Sequence, residues 1–135
     1  MDMLDTGKVT LCIVDGRYLH VVIYTNGELE EQDIKPVTDY LDRFNEPLPA
    51  LMERKGRYSI SIPVQIAMLQ QTKSRLKAVA FIERDHKDVI MTRIAASTYF
   101  KDIAVKSFFD MDQAIDWLSQ HFYQTPLLPD AQNSA

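Results

Sequence analysis

The chain has 135 residues, 46% hydrophobic and 25% charged, which is the composition of an ordinary globular domain and excludes a disordered or fibrous chain. Its fifteen Lys and Arg are scattered among nineteen Asp and Glu, for a net charge of −4, and no basic run could follow a phosphate backbone, so no nucleic-acid partner is expected. A lone cysteine, Cys12, argues against a disulfide framework or a cysteine-based zinc site, and reads as a small core residue in a reducing, cytoplasmic setting.

Residues 1–8 carry two aspartates and no apolar core, so no signal peptide is expected there. No apolar run approaches the roughly 20 residues that span a bilayer, so any membrane association is expected to be peripheral. Val9, Leu11 and Ile13 alternate along 8–14, and 18–24 is a nearly continuous run of β-branched and aromatic residues containing His20. Asp15-Gly16 between them is a strong hairpin signal, because both central positions of that turn need positive φ. The second strand is apolar on both faces, as a covered central strand is.

Ile34, Val37, Leu41 and Phe44 recur at helical spacing, with Glu28, Glu30, Glu31 and Asp33 at the start, where the helix dipole favours negative charge, and Pro36 in the first turns. Leu48, Leu51 and Met52 continue an apolar face past Pro47 and Pro49, so a second short helical piece is expected, stopped by Gly56. Alternation along 57–62 predicts a third strand. Pro63 then suits the first turn of a helix over about 64–74.

A short apolar strand follows over 76–82. The segment 85–88 opens a further helix that carries Ile90, Met91, Ile94, Ala95 and Thr98, and 104–109 is the last strand. In the closing helix, Asp110 as N-cap and Gln113 form a capping-box pattern, and Met111, Ala114, Ile115, Leu118 and Phe122 make one stripe. Strands alternating with helices after a hairpin predict a single α/β domain. The expected architecture is a mixed, mostly parallel five-stranded sheet with four to five packed helices. The domain is expected over 1–124, with a flexible tail over 125–135.

No catalytic residues are assigned, and no cofactor is expected. His20, His86 and His121 form no i,i+4 pair and have no cysteine beside them in sequence, so no metal site is expected. There is no Gly-x-Ser-x-Gly elbow, and with only four glycines there is no phosphate cradle. His86 with Asp85 or Asp88 is the one conceivable acid/base pair; a charged, solvated connection is the alternative reading.

Two features could carry binding. The helices after Pro63 and Asp88 have wide apolar arcs, which fit a doubly buried helix, a pocket lining or an exposed patch. Ile62, Ile66, Leu69, Ile90, Met91 and Ile94 are the candidate ligand-binding residues. The six methionines supply adaptable apolar surface. Ser59 and Ser61 precede a helix N-terminus, where a phosphate would be favourably placed, although the same alternation is also an ordinary strand with one polar face.

The segment Lys106-Ser107-Phe108-Phe109-Asp110, with Ala114 and Trp117-Leu118, resembles the closing strand and helix of the SpoIIAA-like branch of the STAS superfamily. Gly27-x-Leu29-x-x-x-Asp33 resembles that family's entry into its first helix, and 76–83 its penultimate strand. The resemblance implies a non-enzymatic binding domain. One implied role is an apolar or lipid-like ligand, as in the similarly folded Sec14-type domains, with peripheral membrane contact. The other is regulation of a protein partner through a serine phospho-switch, as in anti-sigma-factor antagonists. Here Ser59-Ile60-Ser61-Ile62-Pro63 lacks the aspartate and glycine that usually frame that serine. The excess of apolar surface is also compatible with a homodimer interface.

Overall fold

The computed structural model describes residues 3–129. Its main sheet has six strands: β1 (Leu4–Asp5), β2 (Val9–Val14), β3 (Tyr18–Ile23), β5 (Leu48–Arg54), β7 (Leu76–Ile82) and β8 (Ala104–Phe108), in that spatial order. β1, β2 and β3 pair antiparallel, and β3, β5, β7 and β8 run parallel. A separate two-residue parallel ladder joins β4 (Glu28–Leu29) to β6 (Ser59–Ile60). Four helices complete the chain: α1 (Glu31–Leu41), α2 (Ile62–Thr72), α3 (His86–Ser97) and α4 (Met111–Ser119).

The hairpin turns as its sequence requires, with Asp15 at φ 53° and Gly16 at φ 65°. The parallel strands step in one direction across the sheet, so their right-handed crossovers place α1, α2 and α3 on the same face. Tyr40 and Leu41, Met68 and Leu69, and Ala95 of these helices join one core with Leu11, Leu19, Val21, Met52 and Phe81. α4 covers the other face. Ala78, Ala80 and Ala114 are completely buried there, and their small side chains let helix and sheet approach closely, with Tyr18 stacked on Phe122 at 5.8 Å.

The expected five strands become six, and the third lies elsewhere than expected. Residues 48–54 form β5, a central strand, and not a helical piece. Both of its faces are buried, so Leu48, Ala50 and Met52 point one way while Pro49 and Leu51 point the other, and a run that is apolar on both faces shows no alternation. Pro49 is tolerated at the strand's start, where the register with β7 shifts between Leu48 and Pro49. The segment 57–62 contributes only the short β6, because the chain turns at Gly56 and reaches the α2 N-cap at Ser61.

Gly56 therefore does not stop a helix. It is glycine because a Cβ there would stand 1.9 Å from the Thr25 carbonyl oxygen. Asp110 is the α4 N-cap but its side chain makes no capping hydrogen bond. The described part of the expected tail is docked: Leu127 is buried, and its N–H donates to the Gly16 carbonyl at 2.7 Å. Residues 130–135 of that tail lie outside the described residues.

Candidate functional site

Between the sheet and α1–α2 lies a cavity of about 90 Å³. The sheet contributes Leu11, Val21, Met52 and Phe81; α1 contributes Ile34, Val37 and Leu41; α2 contributes Val64 and Met68; Leu29 and Ile60 of the small ladder also line it. Thr38 and Thr72 are part of the wall, yet their hydroxyls are turned back onto the carbonyls of Lys35 and Met68, at 3.0 and 2.8 Å. The lining is therefore apolar even where its residue types are not.

At the start of α1 the wall includes Glu30 and Asp33, and Lys8 ties this rim together. Its Nζ donates to Asp33 Oδ2 at 2.8 Å and to the Glu28 carbonyl at 2.9 Å, and lies 3.7 Å from Glu30 Oε1. Asp33 Oδ2 also accepts from the Glu30 N–H at 2.7 Å, which makes it part of the helix cap. Burial pushes the Asp33 carboxyl up, but the Lys8 ammonium and the Glu30 N–H outweigh it and hold Asp33 below the usual carboxylate range.

At another end, Tyr58, Phe81, Tyr99 and Phe100 separate the cavity from a buried polar cluster at the carboxyl ends of the parallel strands. Arg54, the last residue of β5, and Glu83, just after β7, form an ion pair at 2.9 Å with both side chains fully buried. Arg54 Nη1 donates also to the Thr92 hydroxyl at 3.0 Å and the Asp88 carbonyl at 3.3 Å, and Nε donates to the Tyr58 hydroxyl at 2.9 Å. Glu83 Oε2 accepts from the Ser107 hydroxyl at 2.9 Å. The guanidinium carbon lies over the Phe81 ring, 4.3 Å from its centroid.

Asp88, fully buried, is held by Arg84 Nε at 2.8 Å, by the Arg84 N–H at 2.8 Å and by Arg57 Nη1 at 3.1 Å. Desolvation raises its pKa, but these donors win and leave it below its ordinary value. Asp85 caps α3 by accepting the Asp88 N–H at 3.0 Å and is paired with Arg57, which lowers its pKa to about 2. Both acids beside His86 are thus committed to arginines. The His86 side chain is exposed, and among the described residues no hydrogen bond or ion pair joins it to either acid. The conceivable acid/base pair is not assembled.

The six candidate apolar residues fall into two groups. Leu69 and Met91 pack against the core. Ile62 and Ile66 on α2 are 70% and 54% exposed, and Ile90 and Ile94 on α3 are 43% and 46% exposed. These four form two i,i+4 ridges facing solvent, and none of the six is part of the cavity wall. α2 meets the cavity with its other stripe, Val64 and Met68. Ser61 is the α2 N-cap, with its hydroxyl making no capping bond, and Ser59 is exposed in β6. Among the described residues no group of His, Cys, Asp and Glu could hold a metal ion, and no helix is long and apolar enough to cross a membrane.

Sequence reasoning did not find Arg54 and Glu83. Both sit in a Glu-Arg pair that follows an apolar run (Met52-Glu53-Arg54 and Ile82-Glu83-Arg84), and that shared ending was the available signal. On the α4 face, where β2 and β3 are left partly uncovered, His20 Nε2 lies 2.9 Å from Glu53 Oε1, and Cys12 is the half-buried cross-strand partner of His20.

The chain's path matches that of an uncharacterized DUF3478-family protein from Shewanella loihica PV-4 with a SpoIIAA-like fold. The TM-score is 0.60 at 23% identity, over 82% of this chain and 93% of that one. The fold is SpoIIAA-like. At this identity the SpoIIAA-like likeness extends to architecture, which agrees with the resemblance in the closing strand and helix. No protein-family model matches the sequence, and no curated protein matches it.

Proposed function

We propose that this SpoIIAA-like domain is a non-catalytic binding module for a small apolar or lipid-like molecule, held in the cavity between the sheet and α1–α2. The cavity itself supports this reading most strongly. Its lining is apolar, so an apolar ligand occupying the roughly 90 Å³ takes that surface out of contact with water. The isoleucine ridges of α2 and α3 lie outside the cavity and suit a peripheral contact with a membrane from which such a ligand is taken. Extraction of the purified protein followed by mass spectrometry tests the reading, with a co-purifying apolar compound expected. Repeated extraction that finds nothing, together with no binding to vesicles, counts decisively against it.

A second reading, a regulatory module acting on a protein partner, is supported by the uncommitted hydroxyl of Ser61 at the α2 N-cap, next to exposed Ile62. A phosphate there would meet the free amides of the helix start. Phosphopeptide mapping from cells is expected to find Ser61 or Ser59 modified under this reading, and neither serine modified removes its support.

A further inference from the structure

Charge is divided unevenly along this fold. From Arg54 at the end of β5 to Ser97 at the end of α3 the chain carries nine of its fifteen Lys and Arg but three of its nineteen Asp and Glu, a net charge of +6 against −10 for the rest. All three of those acids, Glu83, Asp85 and Asp88, are held by Arg54, Arg57 and Arg84 in the network at the strand ends. The cations on the outer side of the helices are left without a carboxylate: Lys73, Lys87 and Arg93 are exposed and form no ion pair among the described residues.

These cations border the isoleucine ridges. Lys87 and Arg93 are each three residues from Ile90, which places them on opposite flanks of the Ile90–Ile94 ridge, and Lys73 continues the Ile62–Ile66 line two turns beyond Ile66. Both ridges stand away from the sheet, since α2 buries Val64 and Thr72 and α3 buries Asp88, Thr92 and Ala95. Aliphatic side chains rising from a fringe of lysine and arginine supply both parts of a contact with an anionic bilayer, hydrocarbon for the acyl boundary and positive charge for the headgroups. A protein partner fits less well. Neither helix carries Phe, Tyr or Trp, which dominate protein interfaces, and lysine, two of the three cations, is depleted from them.

We propose that the α2–α3 face docks on an anionic phospholipid bilayer, its isoleucine ridges entering the acyl boundary while Lys73, Lys87 and Arg93 meet the negative headgroups. Across the groove beside α2, α1 presents Glu31 and Asp39, so the protein leans on the bilayer through α3 and holds α1 away. This inference rests on the membrane contact of the binding reading, adds the lipid chemistry, and does not require an occupied cavity.

The test is sedimentation of the full chain with vesicles of phosphatidylcholine alone and of phosphatidylcholine mixed in equal parts with phosphatidylglycerol. Binding is expected to be at least about tenfold tighter to the anionic vesicles and to weaken as salt is raised. Each Lys or Arg near such a surface strengthens binding about fivefold, so Lys87→Gln/Arg93→Gln is expected to lose about 25-fold on the anionic vesicles with its unfolding midpoint unchanged. Lys106→Gln, which removes an exposed cation from β8, is expected to stay within about twofold of the wild type. An isoleucine buried in the interface contributes more than one cation does, so replacing it weakens binding even where lysine takes its place. Equal binding to the two kinds of vesicle overturns the anionic chemistry, and no binding to either overturns the contact itself. In both cases n-hexane entering the cavity of the same protein would leave the ligand-binding reading standing. A loss in Lys106→Gln as large as in the double variant reports net charge and not this face, and polyglutamate bound as tightly as the anionic vesicles points to an acidic protein; either result overturns the inference.

Discussion

Replacing Arg54 alone by methionine removes the one cation that, among the described residues, pairs with the buried Glu83 carboxylate, and leaves that carboxylate with the Ser107 hydroxyl. Breaking a buried ion pair from one side costs about 3–5 kcal/mol, a large share of the roughly 5–15 kcal/mol that stabilises a typical domain. Arg54→Met also strips donors from Tyr58 and Thr92, which places the expected loss at the upper end of that range. With a urea dependence of about 2 kcal/mol per molar, the unfolding midpoint moves down by about 2.5 M. Arg54→Met/Glu83→Leu exchanges the pair for apolar groups and recovers most of the loss, since such replacements are often neutral or stabilising. Urea unfolding of the wild type, both single variants and the double variant closes the cycle. If Arg54→Met costs less than about 1 kcal/mol, or if the double variant is as unstable as the sum of the singles, the pair is not the buried, mutually compensating unit described.

Gly56→Ala places a methyl against the Thr25 carbonyl and is expected to lose more than about 2 kcal/mol, whereas Gly27→Ala, with its nearest neighbour at 3.6 Å, stays within about 1 kcal/mol; thermal or urea unfolding compares the two. Asp85 has its folded pKa lowered to about 2 from 3.8, so its contribution to stability is present above the unfolded value and is lost as pH falls through the folded one. NMR titration of its carboxyl is expected to show the low midpoint in the wild type and a rise toward the ordinary value in Arg57→Gln. Ile66→Lys and Ile94→Lys replace exposed side chains and are expected to change stability by no more than about 0.5 kcal/mol while weakening vesicle binding. Unchanged vesicle binding in both variants would remove the ridges from the proposed membrane contact.

The sequence displayed its local signals faithfully. Asp15-Gly16 announced the hairpin, the acidic start of α1 and Asp85 before α3 announced helix caps, and the alternation of elements announced the parallel crossovers. Residues 48–54 hid because a strand buried on both faces has no polar side to reveal its period, and the spacing of Leu48, Leu51 and Met52 also fits a helix; the register shift at the strand's start accommodates Pro49. The inward face of α2 was hidden for a related reason. α2 is apolar on more than one side, and spacing alone does not say whether Ile62 and Ile66 or Val64 and Met68 face inward. Arg54 and Glu83 could not be paired from sequence because 29 positions separate them and only the β5–β7 register brings them together.

The most direct test of the binding claim is n-hexane titrated into protein labelled at the methionine methyls and followed by NMR. Met52 and Met68 line the cavity, while Met111 packs on the α4 face of the sheet. Saturable shifts at Met52 and Met68 with Met111 unmoved are the predicted result. No shift at either, or equal shifts at all three, would contradict a ligand cavity between the sheet and α1–α2.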